Sequence, residues 1–194
     1  MSMPALLSHF GINTARYVTA DGEIVFDGST SGSVTQIADH SFHGGEDESD
    51  DGFEGSSAWW DDEVELNRNI EAMEKAFPRF VYVPADDGHG PCWLGEINTG
   101  RGRFRIGIFT RRDQGLPRVI PATRQLGIPA GRGWSQPPHL YLSGNLCVAD
   151  KADWDPAEHT AATVTAWAAH WLAAYTEWRV TRKWPVEGVR SIVA

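Results

Sequence analysis

A cysteine and a histidine eight positions apart are the side chains of this sequence best suited to chemistry. They lie in the run PPHLYLSGNLCV, residues 137–148, where Cys147 follows His139, a glycine turn at Gly144 and a hydrophobic stretch. A thiolate is a good nucleophile and a good leaving group, and a partly exposed loop would keep it reactive. His139 could donate a hydrogen bond or relay a proton near neutral pH. Alternatively, it could hold the loop by bonding backbone carbonyl groups.

Acidic residues next to Cys147 could assist a reaction with an amine. Asp150 and Asp153 are the available acids, although a solvated acid beside a helix start is ordinary. Asp155 is better explained as the cap of the following helix, a contribution of about 1 kcal/mol. The other cysteine, Cys92, is predicted to pack as a small hydrophobic residue at a strand start. A disulfide is not expected in a reducing compartment.

Hydrophobic periodicity predicts an α+β fold in which helices pack on a small antiparallel sheet. A helix is expected over 61–77 and ends before Pro78. About four strands should follow as a meander, in the runs RFVYVP, CWLGEIN, RFRIGIF and LPRVIPAT, the last at an edge because of its prolines. The span 126–138 is expected to be a loop. A long helix from about 156 to 180, capped by Asp155, completes the order.

Charge is distributed unevenly along the 194 residues, whose formal net charge is −9. Residues 1–65 carry fourteen acidic residues and one basic residue, so the rest of the chain is net basic. The run GGEDESDDGFEGSS, residues 44–57, has the composition of an acidic flexible linker. We therefore predict an N-terminal extension at 1–43 with a possible hairpin around Gly22, followed by this linker and a main domain at 58–194.

Composition also limits the possible partners and compartments. The sequence has no apolar stretch of about 20 residues and no evident secretory leader, which predicts a cytoplasmic protein without membrane contact. Most arginines on the strands are expected to be the solvated side of amphipathic strands; alternatively, they could form a basic face that docks an acidic partner or the acidic linker. Nucleic acid is not expected there, because the linker would compete for the same face. These arginines are Arg101, Arg103, Arg105, Arg111, Arg112, Arg118 and Arg124.

The cysteine run resembles the active-site segment of ubiquitin-conjugating enzymes. The pattern of that family is His-Pro-Asn, an aliphatic residue, an aromatic residue, two variable positions, glycine, one variable position, an aliphatic residue and the catalytic cysteine. The residues that match it without gaps are Leu140, Tyr141, Gly144, Leu146 and Cys147. The downstream tryptophan and proline of the family correspond to Trp154 and Pro156. The order of predicted elements agrees with the family from about residue 60 to 185.

Two departures from the family pattern narrow the resemblance. His139 stands where the family has the asparagine that steadies the oxyanion, and Pro137 stands where it has a histidine. The chain is also expected to lack the two C-terminal helices of the eukaryotic enzymes. Both features make it similar to the minimal conjugating enzymes of bacterial ubiquitin-like pathways, which lie in anti-phage operons with an activating enzyme.

The resemblance implies an acyl transferase that needs no cofactor. Cys147 would accept the C-terminus of a ubiquitin-like protein from an activating enzyme as a thioester and pass it to a lysine of a target protein. His139 would stabilise the oxyanion, a contribution typically worth about 3 kcal/mol, or relay a proton. Asp150 or Asp153 would help to deprotonate the lysine.

The sequence is also compatible with proteins of three other classes: a binding module, a hydrolase and a metal-binding protein. A non-catalytic binding module could keep the same fold, with Cys147 as a buried hydrophobic residue. A thiol hydrolase could pair Cys147 with His139 or His159, although no cysteine-peptidase signature surrounds the cysteine. A metal site built from these residues and Asp150 lacks characteristic ligand spacing, so no metal is expected.

Overall fold

A computed structural model of the chain describes residues 15–26, 28, 32–46, 57–122 and 126–190. Within these ranges the strands are β1 (Tyr17–Thr19), β2 (Ile24–Val25), β3 (Val34–Gln36), β4 (His40–Ser41), β5 (Val81–Val83), β6 (Cys92–Asn98), β7 (Arg103–Phe109), β8 (Arg118–Pro121), β9 (Ile128–Ala130), β10 (Gly133–Ser135) and β11 (Gly188–Val189). The helices are α1 (Glu63–Ala76) and α2 (Ala161–Thr181). The predictions about an N-terminal leader, most of the acidic linker and Arg124 lie outside the described residues.

The central sheet is an antiparallel meander in the order β5-β6-β7-β8. Strand β7 alternates as its sequence predicts, with Phe104, Ile106 and Ile108 buried and the neighbouring arginines exposed. Helix α2 packs on the buried face, where Trp167 and Trp171 are fully buried. The predicted α+β order of helix, four-stranded meander, cysteine loop and long helix is therefore confirmed.

Helix α1 forms because its apolar positions recur on one face and its start is capped. The Asp62 carboxylate accepts the Val64 N–H at 2.9 Å, which satisfies one of the free donors of the first turn. Met73 and Phe77 bury the inner face, and the helix ends before Pro78, as predicted. Asn69 joins this helix to the next, because its side-chain oxygen accepts the Ala161 N–H at 2.9 Å.

The predicted start of α2 near residue 156 is wrong. The Asp155 carboxylate accepts the Ala157 N–H at 2.8 Å, but it closes a separate turn rather than the first turn of the helix. Thr160 is the residue before the helix, and the Ala161 N–H is satisfied by Asn69 of α1 instead. A contact between the two helices therefore sets the start of α2.

Among the described residues, neither α-helix is long and apolar enough to span a membrane.

The prediction of a loop over 126–138 is also wrong in part. Strands β9 and β10 pair there as a short hairpin, with Gly131 in the left-handed region at the turn (φ 60°). The Tyr175 hydroxyl of α2 accepts the Gly127 N–H at 2.9 Å and anchors the start of this hairpin. A side-chain partner from a distant helix stabilises strands too short to be recognised from their own sequence.

The N-terminal region contains the hairpin predicted around Gly22, which has a φ of +100° between β1 and β2. Val18, Ile37 and Phe42 are buried in the same core as α2. Further along, β4 pairs antiparallel with β11 near the other end of the described chain. The division of the chain at residues 43 and 57 stays a prediction.

Ion pairs offset part of the positive charge of the possible basic face. Arg111 is buried at 6% exposure and donates to Asp113 at 2.9 Å. Arg101 on the adjoining turn lies 2.5 Å from the carboxylate of Glu177 in α2. Docking of an acidic partner on this face stays a prediction.

A buried pair of histidines connects the N-terminal region to α2. His40 Nε2 lies 3.1 Å from His170 Nδ1, and the other ring nitrogen of His170 contacts the Arg16 guanidinium at 3.0 Å. Burial lowers the pKa of His40 to about 4, although the Ala38 carbonyl and the Asp153 carboxylate oppose this shift. Burial, followed by the charges of His40 and Arg16, also lowers the pKa of His170. Both rings are therefore neutral at pH 7.

The histidine pair predicts that the fold loses stability in mild acid. The unfolded chain binds these protons near pH 6.5, so their contribution is complete above that pH and is lost as the pH falls toward 4. For His40 alone, the free energy of unfolding should fall by about 2 kcal/mol between pH 7 and pH 5. Urea unfolding should show this loss in the parent and a smaller loss in His170→Gln. The exposed His89→Gln is the matched control, and an identical pH dependence in all three proteins would contradict the assignment.

Candidate active site

The cysteine lies on a tight hairpin that is held along both of its edges. On one edge Leu146 bridges Val119 of β8, and its N–H donates to the Val119 carbonyl at 2.9 Å. On the other edge Tyr141 forms a parallel bridge with Gly45 of the N-terminal region. Within the hairpin Leu140 pairs with Leu146. The hairpin thus pairs with the edge strand β8 of the central sheet, and the N-terminal region pairs with the other edge of the hairpin.

Gly144 makes the turn of this hairpin possible. Its φ is +90°, a conformation that side chains other than glycine rarely adopt, and its N–H donates to the Tyr141 carbonyl at 2.9 Å. The turn predicted three residues before the cysteine is therefore present. It brings Cys147 opposite His139, whose carbonyl accepts the Cys147 N–H at 3.1 Å.

The thiol of Cys147 is fully buried, so the expected partial exposure is wrong. The side chain has 0% exposure, and residues 146–149 are all buried. Its S–H donates to the Ala149 carbonyl at 3.8 Å, and Trp171 of α2 donates its indole N–H to the His139 carbonyl at 2.9 Å. The hairpin is enclosed because β8 and α2 contact its inner side, a tertiary arrangement that the loop sequence does not reveal.

His139 is bound to neighbouring segments through both ring nitrogens. Nδ1 lies 2.5 Å from the His43 carbonyl oxygen, and Nε2 lies 3.2 Å from the Glu187 carboxylate. The ring also packs against Phe42 and Trp184, with centroid distances of 5.8 and 5.1 Å. These contacts favour the interpretation that the ring holds the loop over the interpretation that it acts directly on the thioester.

The two candidate acids have different surroundings. Asp150 is the more exposed, with 38% of its side chain accessible, and it accepts the Ala152 N–H at 2.9 Å as the cap of a short 3₁₀ turn. Its other oxygen lies 3.7 Å from the ring of His43. Asp150 therefore keeps a solvent-facing carboxylate near the cysteine loop.

Asp153, with only 9% of its side chain exposed, joins three segments of the chain. It accepts the N–H and hydroxyl of Ser41 at 2.7 and 3.0 Å and the Arg190 guanidinium at 2.8 Å. Burial alone would raise the pKa of the Asp153 carboxyl, but the donors from Arg190 and Ser41 together hold its pKa below the ordinary value. The carboxylate is thus ionised and fully engaged in binding the loop to its neighbours.

The remaining candidates are accounted for by packing. His159 accepts the Asp155 N–H through Nδ1 and packs between Trp154 and Trp167. Cys92 is 2% exposed at the start of β6, where burial, and to a smaller extent the charge of Asp86, raises the pKa of its thiol. Both cysteines are free thiols. Among the described residues there is no group of three or more His, Cys, Asp or Glu that could hold a metal ion.

Sequence reasoning missed the residues that bind the loop from a distance. Ser41 and Arg190 bind Asp153, and Glu187 binds His139. All three lie far from their partners in sequence and match no local motif. Covariation between distant positions is the kind of signal that could have revealed them.

Comparison with known proteins identifies the family. A family model described as Type II CBASS E2 protein matches residues 69–191, which include the whole loop from His139 to Asp153. The chain belongs to the Type II CBASS E2 family. Comparisons with curated proteins and with solved structures give no match.

Membership of the Type II CBASS E2 family confirms the resemblance carried by the cysteine run. It supports an E2-like conjugating role in CBASS anti-phage systems, and it agrees with a ubiquitin-conjugating-like fold. In general terms, an E2-like protein partners with a ubiquitin-like protein and an E1-like activating enzyme.

The contrast between the two acids predicts different effects on stability. Asp153→Asn should lower the free energy of unfolding by about 2 kcal/mol, because it weakens charge-assisted hydrogen bonds to Ser41 and Arg190 in a buried place. Asp150→Asn should lower it by less than about 1 kcal/mol, because asparagine also caps a helical turn. Urea unfolding at pH 7 measures both, and equal losses would contradict the assigned role of Asp153.

Proposed function

We propose that the protein carries a ubiquitin-like protein as a thioester on Cys147 and transfers it to a lysine amine of a target protein in a CBASS anti-phage pathway. The observation that carries this proposal is the register of Cys147. It coincides with the catalytic cysteine of the ubiquitin-conjugating pattern and lies inside the region that matches the E2 family model. A glycine turn and pairing with β8 support this register.

Loading of Cys147 is a transfer between two thioesters. The Cys147 thiolate attacks the carbonyl carbon of the C-terminal residue of the ubiquitin-like protein, which is held as a thioester on an activating enzyme. A new carbon–sulfur bond forms, the old one breaks, and the thiolate of the activating enzyme leaves. No oxidant or reductant is needed because both sides of the exchange are thioesters.

Discharge of Cys147 is an aminolysis. A neutral lysine amine attacks the thioester carbonyl, the nitrogen loses a proton, and the carbon–sulfur bond breaks to release the Cys147 thiolate. Asp150 is the carboxylate that we assign to the lysine proton, because it is solvent-facing and close to the loop. His139 and Asp153 are positioning residues in this proposal, because their polar atoms bind His43, Glu187, Ser41 and Arg190.

The burial of Cys147 favours a second candidate from another class. A thiol with 0% exposure is also what a non-catalytic binding module would contain, with the cysteine as a packing residue. The two candidates differ in one observable property. A conjugating enzyme forms a reductant-labile adduct with a protein C-terminus, whereas a binding module does not.

Replacement of Cys147 by lysine distinguishes these candidates. Cys147→Lys, expressed in a host with the cognate pathway, should convert the transient thioester into a stable isopeptide, because the amine does not release the acyl group. Mass spectrometry of the purified protein should find a small protein attached to position 147 through its C-terminal residue. Cys92→Ala is the matched control, and its wild-type Cys147 should still carry a reductant-labile adduct.

Absence of any adduct in Cys147→Lys and in the parent protein, with the pathway expressed, would favour the binding module. The same proteins also test the hydrolase alternative from the sequence. Cleavage of a simple thioester without an activating enzyme, lost in the cysteine variant, would indicate hydrolysis instead of conjugation.

The positioning role of His139 predicts a particular pattern of kinetic defects. His139→Ala should slow both loading and discharge to free lysine and should lower the melting temperature, because the loop loses its contacts with His43 and Glu187. Single-turnover measurements of the two steps provide the readout. A direct oxyanion donor would instead slow transfer by about 10²-fold with the melting temperature unchanged.

A further inference from the structure

Two short segments from opposite ends of the described chain lie together along the cysteine loop. We name residues 40–45 the inner segment and residues 184–190 the outer segment. They pair as β4 and β11, with Gly188 opposite Ser41, and the Phe42 N–H donates to the Glu187 carbonyl at 2.9 Å. The inner segment precedes the region of the family match, so the match itself says nothing about it.

The inner segment contacts the loop directly by backbone and side-chain hydrogen bonds. The Gly45 carbonyl accepts the Leu142 N–H at 2.8 Å, and the His43 carbonyl contacts the ring of His139. Phe42 is 6% exposed within the core. Because these contacts are buried or belong to backbone pairing, the inner segment is a stable part of the fold.

The outer segment is held by contacts that solvent can replace more easily. The side chain of Arg190 is 61% exposed and that of Glu187 is 77% exposed where they meet Asp153 and His139. The Glu187–His139 pair has a largely exposed carboxylate and contributes little to stability, whereas Arg190 pairs with the mostly buried carboxylate of Asp153. Trp184 adds ring packing against His139 and Trp171, at centroid distances of 5.1 and 5.3 Å. Trp184, Val186 and Val189 are only partly buried against the core, whereas the inner segment contributes the buried side chains of His40 and Phe42, so the outer segment is the more weakly held of the two.

A close backbone contact fits the outer segment to the inner one. Gly188 has a φ of +133°, and a Cβ atom at this position would overlap the His40 carbonyl oxygen and lie 2.8 Å from the Ser41 Cα. No side chain can occupy this position while β4 and β11 remain paired. Gly188 is thus a point at which the pairing can be disrupted without touching the cysteine loop.

We propose that the outer segment is an autoinhibitory strap, which holds the cysteine loop against β8 and α2, where the Cys147 thiol is buried, and opens to admit the acyl donor. When the strap is closed, Arg190 holds Asp153 and Glu187 holds His139, so the loop stays seated between β8 and the inner segment. Release of these contacts frees the loop to move and expose the thiol. The regulatory purpose rests on the proposed function of Cys147, whereas the control of thiol access does not.

Alkylation of the thiol measures strap opening directly. The rate at which iodoacetamide modifies Cys147 in the full-length protein can be followed by peptide mass spectrometry, with Cys92 as an internal reference. Gly188→Ala should speed Cys147 labelling by about tenfold or more, because labelling follows the population of the open state. Arg190→Ala should act in the same direction with a smaller factor. Cys92 labelling should not change.

Gly133→Ala is the matched control for Gly188→Ala. Its added methyl would meet only the Ala130 carbonyl, at an ordinary contact distance of 3.7 Å, so Cys147 labelling should stay at the parent rate. If Gly188→Ala loosened the whole fold and accelerated Cys92 as well, Arg190→Ala would decide the question, because its mostly exposed side chain leaves the core intact. Unchanged Cys147 labelling in Arg190→Ala and Gly188→Ala would overturn the strap.

The labelling experiment separates failure of the strap from failure of the proposed function. It uses no ubiquitin-like protein and no activating enzyme, so it reports thiol access alone. Faster labelling in the variants, with no acyl adduct at position 147, would support the strap and contradict the conjugating role. A normal adduct at position 147 with unchanged Cys147 labelling in the variants would support the conjugating role and contradict the strap.

Discussion

Backbone pairing along both edges of the hairpin at 139–147 is the interaction on which the rest of the site depends. Buried N–H and carbonyl groups must be paired, and β8 supplies the partner on the buried edge at Leu146, while residue 45 pairs with the exposed edge at Leu142. The hairpin cannot slide without leaving such groups unpaired, which typically costs about 1–3 kcal/mol for each group. This constraint fixes Cys147 opposite His139 and places its thiol on the inner side. The same interaction that sets the register of Cys147 also buries its thiol.

Asp153 extends this constraint to segments that are far apart in the sequence. Its carboxylate is mostly buried, so each donor that it accepts satisfies a charge that would otherwise be costly to desolvate. The donors come from the inner and outer segments, and the carboxylate itself follows the cysteine loop. Asp153, which the sequence suggests as a general base, therefore mainly connects the cysteine loop to these two segments. Asp150, whose carboxylate is more exposed, is the acid that we propose for the lysine proton.

Most of the fold could be predicted from local patterns, and most of the surroundings of the site could not. The period of the apolar residues identified α1 and the four strands, and Gly144 marked the turn before Cys147. Asp155 carries a good local capping signal, yet the contact of Asn69 with Ala161 decides where α2 begins. Likewise, Cys147 looks like a loop residue until β8 and α2 enclose it. In each case a tertiary contact outweighs a local preference of about 1 kcal/mol.

The departure from the family pattern at His139 has a backbone explanation. The residue has a φ of +58°, in the left-handed region that few side chains other than glycine adopt. Asparagine and histidine are among the residues enriched there, so histidine is compatible with this backbone conformation at the position of the family's asparagine. The larger ring then reaches the His43 carbonyl and the Glu187 carboxylate. A position that elsewhere supplies an oxyanion donor thereby becomes, in this chain, the point at which both covering segments bind the loop.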